Sequence, residues 1–211
     1  MPNHCTNNLS CTSGKTIGEI LKPFISERTD RHGTEQFLDF NKIVPMPQCI
    51  LDSIKFGSIE SITEKRTPEE EEVHKAEQKA NEELCLEQTG HKNWYDWSVA
   101  NWDTKWNSYS NWSIEGGFNE LEDLSIYGFQ TAWSPPINVI RHLAKLTGES
   151  LRMSYYDEGW MFAGEYLVDP DGSEVDNCYD DMDNIPEGSD LWEECDLGNF
   201  YDLREDDDDE E

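Results

Sequence analysis

The stretch that decides the fold, residues 121–168, reads LEDLSIYGFQTAWSPPINVIRHLAKLTGESLRMSYYDEGWMFAGEYLV. Its first part, residues 121–133, alternates apolar and polar side chains, which predicts a strand or a hairpin. Residues 137–148 carry apolar side chains at helical spacing between two prolines and a glycine, and this pattern predicts a helix. Residues 151–156 and 160–168 predict two further strands joined by a short turn. This stretch is therefore predicted as β-α-β-β.

The N-terminal part of the chain supplies the remaining elements. Residues 3–12 predict a first strand, and residues 17–28 predict a helix that Thr16 caps and Pro23 kinks. Residues 36–40 predict a short strand. The predicted order is β-α-β, an insertion, and then β-α-β-β, which places the fold in the α+β class. We expect a ferredoxin-like β-α-β-β-α-β sandwich with a helical, Trp-rich central insertion and an acidic C-terminal extension.

The insertion is predicted at about residues 60–115. Its first part is a charged helix candidate, residues 67–89, capped by Thr67. Its second part, residues 91–112, is rich in large aromatic side chains, which either fill the core or form an aromatic platform for a partner. We favour the core for any single tryptophan. The candidate binding residues here are Trp94, Trp97, Trp102 and Trp106, with Tyr155, Tyr156 and Asp157 at the mouth of the last hairpin bordering the same surface.

Net charge is the feature that departs most from an ordinary globular protein. The chain has 16 basic and 46 acidic residues, which gives a net charge of −30. From Asp157 to the end it has 23 acids and one base, so this segment carries −22 (1 − 23). Such a field repels nucleic acid and anionic membranes and attracts basic protein surfaces. We therefore expect a basic protein partner and no direct binding to nucleic acid or membrane.

The acidic segment is predicted in two parts, a partly ordered extension at residues 169–205 and a disordered tail at residues 206–211. Aromatic side chains lie between its acids, whereas a tail that only improves solubility needs none. Two interpretations follow, a solvated tail and a folded surface that mimics the charge density of nucleic acid. The candidate residues of such a surface are Asp180, Asp181, Asp183, Trp192, Glu193 and Glu194.

Catalytic and metal chemistry finds little support in the sequence. The six cysteines form no CxxC pair and do not cluster with histidine at zinc spacing. No histidine stands in a recognisable setting with a nucleophile, so we predict no catalytic residue, metal or cofactor. The N-terminus does not resemble a signal peptide, and no apolar run is long enough to cross a membrane. A cytoplasmic protein is expected.

Four motifs carry a family resemblance: NKIVPMP, NWYDW…NWDTKWN, FQTAWSPP and YYDEG…FAGEY, at residues 41–47, 93–107, 129–136 and 155–166. In content and order they resemble the Api92-like/YubB-like family, whose ferredoxin-like domain has no known function. The resemblance covers roughly residues 1–168. It implies a protein carried by a bacteriophage or a conjugative plasmid and acting in a bacterial host. It implies no established activity and no catalytic residues, and the cysteine spacing lacks the pattern that holds an iron–sulfur cluster.

Three functions remain open at this point. The favoured hypothesis is a non-enzymatic acidic protein that binds, and thereby inhibits, a basic DNA-binding or defence protein of the host. An alternative is an enzyme that acts on a small molecule or nucleotide in a pocket lined by tryptophans and Asp157, but no nucleophile–base or metal pattern supports it. The third is a structural protein that self-assembles through an edge of its sheet.

Overall fold

The computed structural model describes residues 3–30, 33–57, 65–113, 124–195 and 197 of the 211-residue chain. The predicted acidic tail at residues 206–211 lies outside these residues. None of the helices in the described part is both long enough and apolar enough to cross a membrane. The strands are β1 His4–Cys11, β2 Ile25–Asp30, β3 Gly33–Leu38, β4 Tyr109–Ser113, β5 Ile126–Ala132, β6 Leu151–Asp157, β7 Ala163–Val168 and β8 Glu174–Tyr179.

The helices lie mainly between β3 and β4 and between β5 and β6. Short 3₁₀ turns at Lys22–Phe24, Phe40–Lys42, Ile54–Gly57 and Met182–Asn184 connect the longer elements. The α-helices are α1 Ile17–Leu21, α2 Gln48–Ser53, α3 Pro68–Thr89, α4 Trp94–Trp102, α5 Ile137–Thr147 and α6 Asp190–Glu194.

The main sheet has the ferredoxin-like order that the sequence predicts. Within the described residues it contains six strands in the order β4-β5-β1-β6-β7-β8, and every neighbouring pair is antiparallel. β5 and β6 are therefore parallel, joined through α5, with β1 between them. β1 and β4 are likewise parallel, with β5 between them. These two interleaved β-α-β units define a ferredoxin-like core, and β7 and β8 extend it at one edge.

The second strand of this core is not the one that we predicted. The short strand predicted at residues 36–40 overlaps β3, but β3 pairs with β2 in a separate two-stranded hairpin. The second strand is β4, which lies in the region predicted to be insertion. Its pairing with β5 shifts register between Tyr109 and Trp112, and Ser110 has a φ of 47°. This irregularity interrupts the alternation by which a strand is recognised in a sequence.

The helix predicted at residues 17–28 is shorter than expected. Thr16 caps α1 by accepting a hydrogen bond from the Glu19 N–H at 3.3 Å, as predicted. The helix ends at Leu21, the 3₁₀ turn around Pro23 follows, and the chain then enters β2. Proline at this position has no N–H to donate and clashes with the preceding turn, so it ends the helix and does not merely kink it.

Two apolar clusters form on opposite faces of the sheet. The helix-side core holds alternate residues of β6, such as Met153 and Tyr155, together with the apolar face of α5. The next residue of β6, Tyr156, faces the other side of the sheet and packs against the second apolar cluster. The buried members of the second apolar cluster are Ala163, Met182, Ile185, Leu191, Cys195 and Leu197. The residues after β8 therefore fold back over the face of the sheet that the helices leave open.

Candidate functional site

Two of the candidate tryptophans belong to the helix-side core. Trp97 and Trp102 are only 4% and 3% exposed, and their rings meet edge to face with centroids 5.5 Å apart. The indole N–H of Trp102 donates a hydrogen bond to the Val44 carbonyl at 3.0 Å. Trp94 is half-buried, and its backbone N–H donates to Ser53 Oγ at 3.0 Å. These side chains stabilise the fold and offer little surface to a partner.

Trp106 is exposed and belongs to a second group of aromatic residues, which we call the aromatic cage. The cage consists of Tyr95, Trp106 and Trp133, which are 39%, 39% and 41% exposed. Their rings surround the ammonium group of Lys105, whose Nζ lies 5.8, 4.8 and 5.0 Å from the respective ring centroids. The rings of Tyr95 and Trp133 stand at 85° to each other, so they form two perpendicular walls.

The loop that carries Lys105 is attached to the end of β5 by several hydrogen bonds. Thr104 is buried, and its hydroxyl donates to the Ala132 carbonyl at 2.9 Å and accepts from the Ala132 N–H at 3.0 Å. The Asp103 carboxylate accepts a hydrogen bond from the Asn138 N–H, at the start of α5, at 2.7 Å. Burial raises the pKa of Asp103, although that hydrogen bond works in the opposite direction. These contacts fix the loop relative to the sheet.

The backbone of the cage is strained at two points. Asp103 has a φ of 61° and Trp133 a φ of 75°, in the left-handed region that side chains other than glycine rarely adopt. Each such residue costs about 1–3 kcal/mol and persists only where surrounding contacts hold it. One of these contacts is the hydrogen bond from the Trp133 N–H to the Asn3 carbonyl at 3.0 Å. Trp133 is thus held in a strained conformation while much of its ring stays exposed.

Tyr109 and His4 continue the aromatic surface beyond Trp106. The ring centroids of Trp106 and Tyr109 are 6.2 Å apart, and those of Tyr109 and His4 are 5.5 Å apart. The Tyr109 hydroxyl donates to the Thr131 carbonyl at 3.0 Å and lies 2.7 Å from His4 Nδ1. Burial raises the pKa of Tyr109 to about 12. This phenol therefore stays protonated near neutral pH and serves as a hydrogen-bonding group rather than as a base.

Three consecutive candidates at the end of β6 point in different directions. Tyr155 lies in the helix-side core, and its hydroxyl donates to Asp176 Oδ1 at 2.6 Å. Tyr156 lies on the opposite face and stacks on Trp160, with ring centroids 5.6 Å apart. Asp157 is 2% exposed and accepts a hydrogen bond from the Gly159 N–H at 2.8 Å, which stabilises the turn before β7. They do not form one surface, because Tyr156 faces the opposite side of the sheet from Tyr155 and Asp157, and these two side chains are buried.

The acidic candidates lie on the segment that covers the second face of the sheet. Trp192 is half-buried and packs against the second apolar cluster. The side chains that face solvent from this segment include those of Asp180, Asp181, Asp183 and Glu193. The carboxylate of Asp181 also accepts a hydrogen bond from the Asp183 N–H at 3.1 Å, which orders the 3₁₀ turn. Several carboxylates are thus displayed on a backbone that packs against the sheet.

Glu194 differs from the other acids because it joins a salt bridge under the segment. Arg152, on β6, contacts Glu194 at 2.7 Å and Glu165 at 2.6 Å, and its own side chain is 15% exposed. Burial works to lower the pKa of Arg152, but the hydrogen bonds to Glu194 and Glu165 raise it above its ordinary value. This pair of contacts attaches the acidic segment to the sheet.

The structure brings together cage residues that sequence reasoning did not select. Lys105 and Tyr95 lie in the Trp-rich stretch, but Trp133 follows β5, and the fold alone brings it beside them. The three lysine–ring contacts could not be predicted from the spacing of these residues in the sequence.

Among the described residues, no group of three or more His, Cys, Asp or Glu side chains is arranged to hold a metal ion. Cys5, Cys11, Cys49, Cys85, Cys178 and Cys195 are not joined in disulfides.

One protein-family model matches part of the chain. Residues 101–197 match the family model described as the ferredoxin-like domain in Api92-like protein. The match covers β4 to α6 and extends into the acidic segment as far as residue 197, whereas we assigned the resemblance to roughly residues 1–168.

One solved structure is similar to this chain. It is the crystal structure of the protein Api92 from Yersinia pseudotuberculosis, with a TM-score of 0.41 and 9% sequence identity. The similarity covers 85% of this chain and 98% of that chain. No curated protein matches the chain.

Proposed function

We propose that this protein is a non-enzymatic binding protein whose acidic surface engages a basic protein surface as a mimic of nucleic acid. The observation that carries this proposal is the packing of the acidic segment on the sheet. Met182, Ile185 and Leu191 are buried in the second apolar cluster. Asp180, Asp181 and Asp183 face solvent. A tail that only improves solubility does not need a buried apolar side, whereas a charge mimic needs carboxylates at fixed positions.

The charge distribution supports a basic partner. The sequence from residue 169 to residue 197 contains acids and no lysine or arginine. Two of its acids are neutralised by bases from elsewhere in the fold, since Glu174 pairs with Arg141 and Glu194 with Arg152. The exposed remainder gives a field of one sign, which accelerates encounters with a basic protein surface and disfavours acidic ones.

The resemblance to proteins of mobile elements extends the proposal to the class of partner. A basic groove that binds DNA is the surface that a line of fixed carboxylates fits best. We therefore propose a DNA-binding or defence protein of a bacterial host as the target and the bacterial cytoplasm as the place of the encounter. Binding of this kind inhibits the target by occupying the groove that its DNA requires.

The two rival functions have weaker support in the geometry. The enzyme hypothesis relied on Asp157 as a carboxylate in a pocket, but this group is buried and accepts hydrogen bonds from the backbone of its own turn. Self-assembly through the β8 edge is opposed by the Asp176 carboxylate on this edge strand of the described sheet; Glu174, the other acid of β8, is paired with Arg141. Acidic residues on an edge strand discourage pairing with a second copy.

The proposal is tested by capturing partners from a bacterial lysate with the full-length protein. Captured proteins are identified by mass spectrometry, and the beads are then washed with rising salt or with a duplex DNA competitor. We expect a basic DNA-binding protein that both salt and duplex DNA release, because each competes for the same charges. A captured partner that neither treatment releases would count against nucleic-acid mimicry.

A further inference from the structure

We propose that the aromatic cage is a binding site for a methylated ammonium group, and that Lys105 fills this site as a built-in competitor. The cage residues, Tyr95, Trp106 and Trp133, lie outside the acidic segment. The inference is therefore independent of the proposed function and goes beyond it.

The geometry of the cage is already that of a cation site. Lys105 Nζ lies between 4.8 and 5.8 Å from the three ring centroids, within the roughly 6 Å over which a cation is attracted to an aromatic face. Trp106 and Trp133 are the two nearest rings, and tryptophan is the aromatic residue that attracts cations most strongly. The perpendicular walls of Tyr95 and Trp133 contact a ligand from two sides.

Lys105 is unusual because its ammonium group contacts rings in a chain that has 46 acidic residues. Within the part of the chain that the structure describes, it forms no salt bridge. A lysine on a surface with this excess of carboxylates has many alternative partners. Its position among the rings indicates that the cage itself attracts a positive charge.

The methylated ammonium class fits this cage better than the other ligand classes do. A lysine ammonium is compact and strongly hydrated, so it gives up favourable water contacts when rings surround it. Methylation removes N–H groups and spreads the charge over apolar surface, which lowers that cost and adds contact with the rings. Phosphates and nucleic acids are disfavoured because the chain has a net charge of −30.

The cage is rigid and open, which a binding site requires. Thr104 forms hydrogen bonds with the end of β5, and Asp103 accepts a hydrogen bond from the start of α5. These contacts fix the loop before Lys105. Trp133 is held with a φ of 75° by its own backbone hydrogen bond to Asn3. The lysine side chain, in contrast, is a flexible four-carbon stem that can leave the cage without moving the backbone. A ligand can therefore replace Lys105 without any change in the fold.

The test measures tetramethylammonium binding by NMR of the indole N–H groups in the full-length protein. The wild type is compared with Lys105→Ala, which empties the cage, and with Lys55→Ala as the matched control. Lys55 Nζ also lies over an aromatic ring, 4.7 Å from the Phe56 ring centroid, and Lys55 is not part of the cage. Sodium chloride at equal concentration controls for screening, and tert-butanol serves as an uncharged probe of similar size.

We expect saturable shifts of the Trp106 and Trp133 indole signals in Lys105→Ala, with an affinity about tenfold or more above that of the wild type. Lys55→Ala should behave like the wild type, and tert-butanol should give no saturable shift. Adding Trp133→Ala or Tyr95→Ala to Lys105→Ala should abolish binding while the remaining spectrum keeps its dispersion. The proposal is overturned if Lys105→Ala does not bind, if it binds no better than the wild type, or if tert-butanol binds equally well.

Discussion

Replacing Leu191 by alanine should release the acidic segment from the sheet without unfolding the domain. Leu191 is 7% exposed and belongs to the second apolar cluster, which joins residues of α6 and the preceding turn to Ala163 of β7. Truncation of a buried leucine costs about 2–5 kcal/mol, so we take about 3 kcal/mol for this site. The substitution lowers the free energy of local opening of the segment and leaves the rest of the domain folded, because the helix-side core does not include Leu191.

Hydrogen exchange measured by mass spectrometry is the appropriate assay. A decrease of about 3 kcal/mol in the free energy of local opening raises the exchange rate of amides that exchange through this opening by roughly 100-fold, since each 1.4 kcal/mol is a factor of ten. The faster exchange should be confined to peptides within residues 182–195, whereas peptides of β1 and β5 should keep their protection. The same variant should bind its basic partner more weakly, because detached carboxylates no longer hold fixed positions.

Val175→Ala is the matched control, because Val175 is an aliphatic residue of the same acidic region but is 52% exposed. It should change exchange by less than about threefold, since surface substitutions usually cost no more than about 0.5 kcal/mol. Unchanged protection of residues 182–195 in Leu191→Ala would show that Leu191 does not hold the segment on the sheet. Equal loss of protection in β1 and β5 would also contradict the prediction, because the segment would then not be a separate unit of stability.

Three further substitutions test other parts of the structure. Gly164→Ala should destabilise the domain by at least about 2 kcal/mol in urea unfolding, because the new Cβ would lie 2.4 Å from the Tyr155 ring. Arg152→Met should cost about 1–3 kcal/mol in the same assay, since it leaves Glu194 half-buried without its partner. Burial raises the pKa of Cys195 from 9.0 to about 12, so the folded state retains a proton that the unfolded state loses. Cys195 alone should therefore lower stability by up to about 1.4 kcal/mol per pH unit between pH 9 and about 12. The total loss above pH 9 should be smaller by this contribution in Cys195→Ala; equal slopes would contradict the assignment.

The elements with regular hydrophobic patterns were predictable from the sequence. Helix α5 has apolar residues at helical spacing and ends at Gly148, whose φ of 72° suits a glycine. Strands β6 and β7 alternate clearly and are joined by a short turn. The start of α3 was also predictable, since Thr67 and Glu70 form the capping box that their spacing allows.

The position of β4 was not predictable, for a physical reason. The strand has the polar sequence YSNWS, and its register with β5 shifts between Tyr109 and Trp112. A five-residue strand with a bulge has no alternation to detect, and its place in the sheet depends on pairing with a partner remote in sequence. The more regular segment at residues 36–40 was therefore assigned that place, although β3 pairs only with β2 in the described part of the chain.

The candidate site was predicted in part. Aromatic residues among the acids distinguished the acidic extension from a tail that only improves solubility, and one of them, Trp192, packs against the second apolar cluster. The aromatic cage was missed because Trp133 reaches Lys105 only through the pairing of β5 with β1 and the attachment of the 103–105 loop to the end of β5. Local sequence patterns carry no information about such contacts between distant segments.

We propose that the exposed carboxylates of the acidic segment bind the basic partner. The salt dependence of partner binding by charge variants tests this proposal. Two triple variants of the full-length protein each change the net charge from −30 to −27 (−30 + 3). The first carries Asp180→Asn, Asp181→Asn and Asp183→Asn, and the control carries the exposed α3 substitutions Glu72→Gln, Glu77→Gln and Glu87→Gln.

The dissociation constant for the captured partner is measured over a range of salt concentrations. We expect the first variant to bind more weakly than the wild type and to show a shallower salt dependence, while the control variant matches the wild type. Equal weakening of both variants would contradict the account, because net charge alone would then explain binding. Unchanged binding by the first variant would contradict it as well.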